Sequence, residues 1–185
     1  MTSSNSPVKM ILYSFYVLVC TLTLSTLSLA EMPQEPAAEK IWSQDKRYVD
    51  NGDGTITDTK THLMWMKQES YQQTGHWLTW FESYEFIKKI NEDGFANYYD
   101  WQMPTLKDLR TLYEPHKTNS QQVGREMQIH IDPIFAKEGS GVWWALEANG
   151  RFNAFGIEFN SGKKFSAPKK SKARKVVRAM RVAKP

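Results

Sequence analysis

Three carboxylates stand close together in the stretch VDNGDGTITD: Asp50, Asp53 and Asp58, interleaved with Gly52 and Gly54. Such a run suits two purposes. Carboxylates can ligate calcium when a sharp loop gathers enough oxygens around the ion. Asn and Asp can also close a tight turn by bonding back to backbone N–H groups, while glycine tolerates positive φ. An EF-type loop counted from Asp50 puts Gly52, Gly54 and Thr61 where its third, fifth and twelfth positions need ligands; counted from Val49 it puts Lys60 at the twelfth. The EF-hand reading fails, and the stretch reads as a hairpin turn. A calcium site of another kind, built from Asp50, Asp53 and Asp58, is the alternative that remains.

A second cluster is basic. Lys163, Lys164, Lys169, Lys170, Lys172, Arg174 and Lys175 crowd the C-terminal end. From Lys163 to Pro185 there are ten Lys/Arg and no acid, whereas Glu31 to Gly162 carries thirteen Lys/Arg against twenty Asp/Glu. The net charge of +4 therefore conceals an acidic body with a basic end. Lysine supplies point charges, and Arg174 can grip a sulfate or carboxylate with two parallel N–H bonds. These residues are the candidate polyanion site, and a solvated basic loop that keeps the domain soluble is the plainer alternative. Trp143 and Trp144 suggest sugar stacking. On a strand one of them points inward and the other outward, and the outward one is the candidate ligand face.

Other chemistries lack their residues. The one cysteine, Cys20, lies in the N-terminal apolar segment, so the remainder of the chain has no thiol for a disulfide, a nucleophile or a zinc–thiolate site. His62, His76, His116 and His130 show no metal-ligand spacing of the His-Glu-x-x-His kind. Gly139-Ser140-Gly141 is a flexible turn and no nucleophile elbow. No cofactor is expected.

These residues must be held by the elements around them. Residues 1–30 read as a secretory signal peptide: Lys9, an apolar stretch from Met10 to Leu29, then Ser28-Leu29-Ala30 as the cleavage signal. Residues 31–46 read as a Pro/Ala/Glu-containing linker, with ordered structure expected to begin near Ile41-Trp42 or near Arg47-Tyr48-Val49, and 47–185 as one domain. Thr79 with Glu82, and Thr105 with Asp108, place an acid three residues after a threonine, which marks two helix starts. Trp80, Tyr84 and Ile87, then Leu106, Leu109 and Leu112, supply their apolar faces. Strands are expected at 55–57, 62–67, 142–145, 152–159 and 176–182, with a basic loop at 167–174. Helices early and strands late give an α+β fold, two helices on a twisted, mainly antiparallel sheet.

In order, the blocks RYVDNGDGTITDTKTHLMWMK (47–67), GFANYYDWQMPTLKDLRTL (94–112), IDPIF (131–135), VWWA (142–145), FGIEFNSG (155–162) and VVRAMRV (176–182) resemble the Lcl C-terminal domain family of bacterial exported domains. Gln102-Met103-Pro104 stands where that family has Arg-Leu-Pro, and Ala179 stands where its closing strand has Cys. The resemblance implies a C-type-lectin-like, formylglycine-generating-enzyme-like fold. Its namesake is an adhesin domain that binds sulfated glycans. The oxidase chemistry of the enzyme branch needs cysteines that this chain lacks after residue 30.

The expected protein is an exported, non-catalytic binding module for sulfated or acidic glycans or surface polymers, acting through its basic C-terminal region. A structural or protein-interaction module of the cell envelope is the alternative, and an enzyme acting on envelope polysaccharide is a third. The expected partner is an anionic polysaccharide or an envelope protein, with self-association left open. Nucleic acid is not expected, and the membrane is met only through the signal segment. The periplasm, the cell surface and the medium all fit.

Overall fold

The structure is a computed structural model that describes residues 40–183. The segment read as a signal peptide, Cys20 and most of the 31–46 linker lie outside the described residues. In chain order the elements are β1 (Ile41–Trp42), β2 (Tyr48–Asp50), β3 (Thr55–Asp58), β4 (Leu63–Met66), α1 (Ser70–Thr74), α2 (Trp80–Glu92), α3 (Leu106–Leu112), β5 (Ser120–Gln121), β6 (Gln128–Ile129), β7 (Val142–Asn149), β8 (Asn153–Glu158), β9 (Lys163–Pro168), β10 (Lys175–Val176) and β11 (Met180–Val182). A single 3-10 turn, Phe95–Asn97, lies between α2 and α3.

The strands form a five-stranded sheet in the order β1-β2-β3-β4-β11, a four-stranded sheet in the order β10-β7-β8-β9, and the small pair β5-β6. Every named pairing is antiparallel except β10 with β7. The fold is α+β.

Both longer helices start where their sequence says. The Thr79 hydroxyl accepts the Glu82 N–H while the Glu82 carboxylate accepts the Thr79 N–H, and Thr105 with Asp108 repeats the exchange. Each reciprocal pair satisfies two first-turn donors that would otherwise have no partner. Glu147 adds a third element at α3 by accepting the Leu106 N–H at 3.0 and 2.9 Å. Glu147 can reach because β7 bulges between Trp144 and Ala148. The bulge also turns the Ala145 carbonyl toward the Trp80 indole N–H, at 2.8 Å, so α2 and α3 both dock on it.

The core lies in two connected layers. Tyr48, Ile56, Trp65, Leu109, Leu112, Phe135, Trp143, Ile157 and Phe159 fill one. Met64, Met66, Ile87, Ile90, Trp101, Met103, Trp144 and Val177 fill the other. Gly156 belongs to the second: a Cβ there would stand 2.2 Å from the Trp143 carbonyl and 2.4 Å from the Phe165 ring, so only glycine lets Phe165 lie across the sheet.

Three expectations change. The end of the linker is a strand, since Ile41 pairs with Asp50 and Trp42 with Val49. A third helix, α1, appears after β4, capped by Glu69 and Gln72. The closing run 176–182 is two strands in two sheets: β10 lies parallel to β7, and the chain then crosses to pair β11 with β4.

Arg178 occupies that crossing. Its side chain is fully buried, its Nη1 donates to the carbonyls of Met66 and Lys67, and its guanidinium lies 4.5 Å from the Trp143 ring centre and 5.0 Å from that of Phe135. Glu69, also fully buried, is its counter-charge. The Glu69 carboxylate accepts the N–H groups of Tyr71 and Ser140. Burial pushes the Glu69 carboxyl up to about 7, with Arg178 and the two N–H groups pulling the other way. A proton held more tightly by the folded state favours folding below the unfolded value and loses that effect as pH rises through the folded one. Glu69 therefore contributes stability at pH 5 that is lost through pH 7. Chemical denaturation at pH 5 and pH 8 should show the wild type losing on the order of 1–3 kcal/mol more than Glu69→Gln; equal losses would contradict this.

Candidate functional site

The Asp-Gly stretch is a turn. Gly52 and Gly54 adopt φ of 79° and 87°, Asp50 Oδ1 accepts the Gly52 N–H at 3.0 Å, and Asp53 Oδ1 accepts the Thr55 N–H at 3.0 Å. These are the back-bonds that Asp makes in tight turns. The three carboxylates also have separate partners. Asp50 pairs with Lys67, Asp53 accepts the Thr55 hydroxyl, and Asp58 takes both Nε and Nη2 of Arg47, at 3.1 and 2.7 Å. Asp58 is fully buried, and although burial raises its pKa, the Arg47 bonds carry it below the usual carboxylate value. The alternative calcium site is thereby corrected: β2 and β3 place Asp50 opposite Ile56 and Asp58 opposite Tyr48, so the carboxylates do not converge.

Trp143 and Trp144 do not divide as expected. Both are fully buried, so neither can stack a sugar. The alternation holds, but both faces are covered. β7 is an inner strand, with Trp143 in the layer against α3 and Trp144 in the layer against α2. Their indole N–H groups are held by the carbonyls of Ser140 and Leu78.

The basic cluster is partly dispersed. Lys163 and Lys164 lie on β9, the edge of the four-stranded sheet, so the expected basic loop is a strand as far as Pro168. Lys175 is buried, lies 5.5 Å from the Trp144 ring centre, and donates to Ser171 and Ala173; burial lowers its pKa. Lys172 pairs with Glu82 at 2.6 Å and draws that carboxyl down to about 2. Lys169 lies over the Trp80 ring at 4.8 Å and Lys164 over the Phe155 ring at 4.4 Å. Lys163, Lys164, Lys170 and Arg174 are exposed and form no ion pair among the described residues.

Aromatic groups join this face. Trp80 stacks edge-on with Phe81 and Tyr84, and Phe81 is half-exposed. The β7–β8 turn brings Arg151 over the Phe152 ring at 5.5 Å, and Phe152 is 74% exposed. The Lys169 ammonium bonds the carbonyls of Gly150 and Arg151, which ties that turn to the Trp80 side. Lys163, Lys164, Lys169, Lys170 and Arg174, together with Arg151, Trp80, Phe81 and Phe152, are the candidate site; because Lys163 and Lys164 are successive on β9 and point to opposite faces, the site runs along the edge of the sheet rather than over one face. The sequence marked its lysines; Arg151 and Phe152 join only through the β7–β8 turn, whose Asn-Gly signal was legible but not its neighbours.

A separate concavity of about 770 Å³ is lined by residues of 41–45, 116–118 and 132–134. Lys117 stands in its wall, bonded to Asp45, Glu114 and Asp132 at 2.6, 2.8 and 2.6 Å. The Lys117 bonds hold the Asp45 carboxyl far below its usual pKa.

An α+β domain whose described surface carries a basic-aromatic face and an ion-paired acidic cleft defines the class. The sequence model of the Lcl C-terminal domain family matches residues 54–181, and the chain belongs to that family. No curated protein matches the chain.

The Asp58–Arg47 pair, not a metal, should carry the load at the hairpin. Arg47→Ala leaves Asp58 buried without its bidentate partner and should cost about 3 kcal/mol. Millimolar calcium should shift the melting temperature by less than about 1 °C, because no site forms for it to link to folding; a clear calcium-dependent rise lost in Asp53→Ala would contradict this.

Proposed function

We propose that this is an exported, non-catalytic binding domain that holds an anionic glycan or surface polymer along the edge formed by β9 and the following turn. The observation that carries the reading is a run of four exposed cations, Lys163, Lys164, Lys170 and Arg174, that form no ion pair among the described residues and lie in a stretch without acids that follows an acidic body. A bound polyanion would supply the missing charge and release its own counter-ions. Trp80, Phe81 and Phe152 would lie beside it as apolar surfaces for sugar rings. The lectin-like architecture implied by the family resemblance fits this use. The segment at 1–30 supports export, where sulfated and acidic polysaccharides are the available polyanions. The cleft acids support a non-catalytic reading, since each carboxylate at Lys117 is already ion-paired, which suits neither a general acid nor a free base.

A second reading has its own observation. Lysines on an edge strand discourage another chain from pairing with it. Lys163 and Lys164 sit on such an edge, so the cations would serve solubility in an envelope module that binds protein by another face, or its own copy.

Retention on heparin separates the two. The wild type should elute well above about 0.15 M salt. Replacing Lys163, Lys164, Lys170 and Arg174 together by Ala should move elution to about that value and flatten the salt dependence. Lys172→Ala should change little, because its ammonium is already paired with Glu82. Unchanged retention in the fourfold variant would favour the solubility reading.

A further inference from the structure

Apart from the basic face, the concavity beside β1 has the features of a ligand site. Its volume of about 770 Å³ falls in the range of small-molecule sites. Its rim carries Trp42, 52% exposed on a two-residue edge strand, with Ile41 and the loop residues Pro133 and Ile134 adding apolar surface. A large indole left half in water next to a concave wall is an unused contact surface.

The polar side chains around it fall into two groups. Asp45, Glu114 and Asp132 converge on the Lys117 ammonium, and Arg47 reaches Glu114 at 3.5 Å while it holds Asp58. This network ties the β1–β2 turn to the 114–118 and 132–134 segments, so the wall is fixed before anything binds. Gln44, His116 and Thr118 form the other group. They are exposed, line the same concavity, and make no side-chain hydrogen bond among the described residues. They offer an amide, an imidazole and a hydroxyl, which between them can both donate and accept.

Charge decides the ligand. Of the charged residues that line it, the carboxylates Asp45 and Asp132 outnumber the Lys117 ammonium, so the wall is net negative and repels sulfated or acidic sugars. A cation gains little, because Asp45 and Asp132 already bind the ammonium and their second oxygens accept the Arg47 and Ile134 N–H groups. What remains is an uncharged ligand with an apolar face and a rim of hydroxyls.

We propose that the cleft between the β1–β2 turn and the loops at 116–118 and 132–134 is a second binding site, for an uncharged saccharide. A pyranose ring lays its C–H face on Trp42, and its hydroxyls meet Gln44, His116 and Thr118. The site shares no residue with the basic face, so it stands or falls separately from the polyanion reading.

The test is a panel of uncharged tetrasaccharides: β1-4 glucose, α1-4 glucose, β1-4 N-acetylglucosamine and α1-6 mannose. Binding is read by saturation-transfer NMR and calorimetry. At least one should bind with a dissociation constant of about 1 mM or tighter, changing less than about twofold between 0.05 and 0.5 M NaCl. Trp42→Ala should weaken it at least about tenfold, Gln44→Ala and Thr118→Ala about three- to tenfold each, and Trp42→Phe should retain part of it. Because Trp42 is half-exposed, its variants should keep the wild-type melting temperature and heparin retention, which separates a lost site from a lost fold. The proposal is overturned if no tetrasaccharide binds, if Trp42→Ala leaves binding intact, or if binding collapses with salt. It is equally overturned if sedimentation shows a dimer that Trp42→Ala dissociates, since the indole is then covered by a second copy.

Discussion

Arg178 is the residue on which the two sheets depend. A guanidinium carries five N–H donors and never loses its charge at physiological pH, so burying it obliges the surroundings to supply acceptors and a counter-ion. Here the acceptors are the carbonyls of Met66 and Lys67 just past β4, the counter-ion is Glu69 at the cap of α1, and the flanking surfaces are Phe135 and Trp143. One side chain thus joins the end of the five-stranded sheet, the first helix and the centre of the four-stranded sheet. Neighbouring details follow. Ser70 N–H donates to the Val177 carbonyl and its hydroxyl accepts the Val177 N–H, which seats α1 against the crossing chain. Gly139 has no side chain because a Cβ would stand 2.8 Å from the Glu69 carboxylate.

The remaining charges sort by whether they have partners. Arg47, Lys67, Lys117 and Arg181 are each ion-paired to acids that turns and loops present, and they fasten those turns to the body. Among the described residues, Lys163, Lys164, Lys170 and Arg174 form no such ion pair. Paired cations contribute to fixing the scaffold; unpaired ones shape the field that an approaching molecule meets. The same contrast holds for tryptophan, where Trp65, Trp143 and Trp144 are sealed in the core while Trp42 and Trp80 reach the surface.

What the sequence disclosed was local. Thr79 with Glu82, Thr105 with Asp108, and the back-bonding of Asp50 and Asp53 each depend on residues within a few positions, and each forms as read. The failures involve distant chain, except for α1, whose Glu69–Gln72 capping box is local and was not read. The outward tryptophan was lost because both faces of β7 are covered, one by the layer holding Leu109 and Leu112 of α3 and the other by the layer holding Ile87 and Ile90 of α2, helices some thirty to sixty positions earlier. Residues 176–182 read as one strand because every position suits extended backbone; the division between two sheets is set by where Met66 and Lys67 present their carbonyls. The cleft was invisible because three separated segments build it, and Trp42 sat in what reads as linker.

The position of β11 has a consequence for how the chain is made. Met180 pairs with Trp65 on one side and with Gln102 on the other, and Val176 pairs with Trp143. The residues that complete both sheets are therefore made after every other described element. Before they emerge, β4 lacks its second neighbour and the core layers lack Val176, Val177 and Met180. A chain held short of them has its helices and hairpins but no closed core, so the cooperative step waits for residues 176–182. Such a domain stays open and pliable while its earlier elements are made and locks only when β10 and β11 join them.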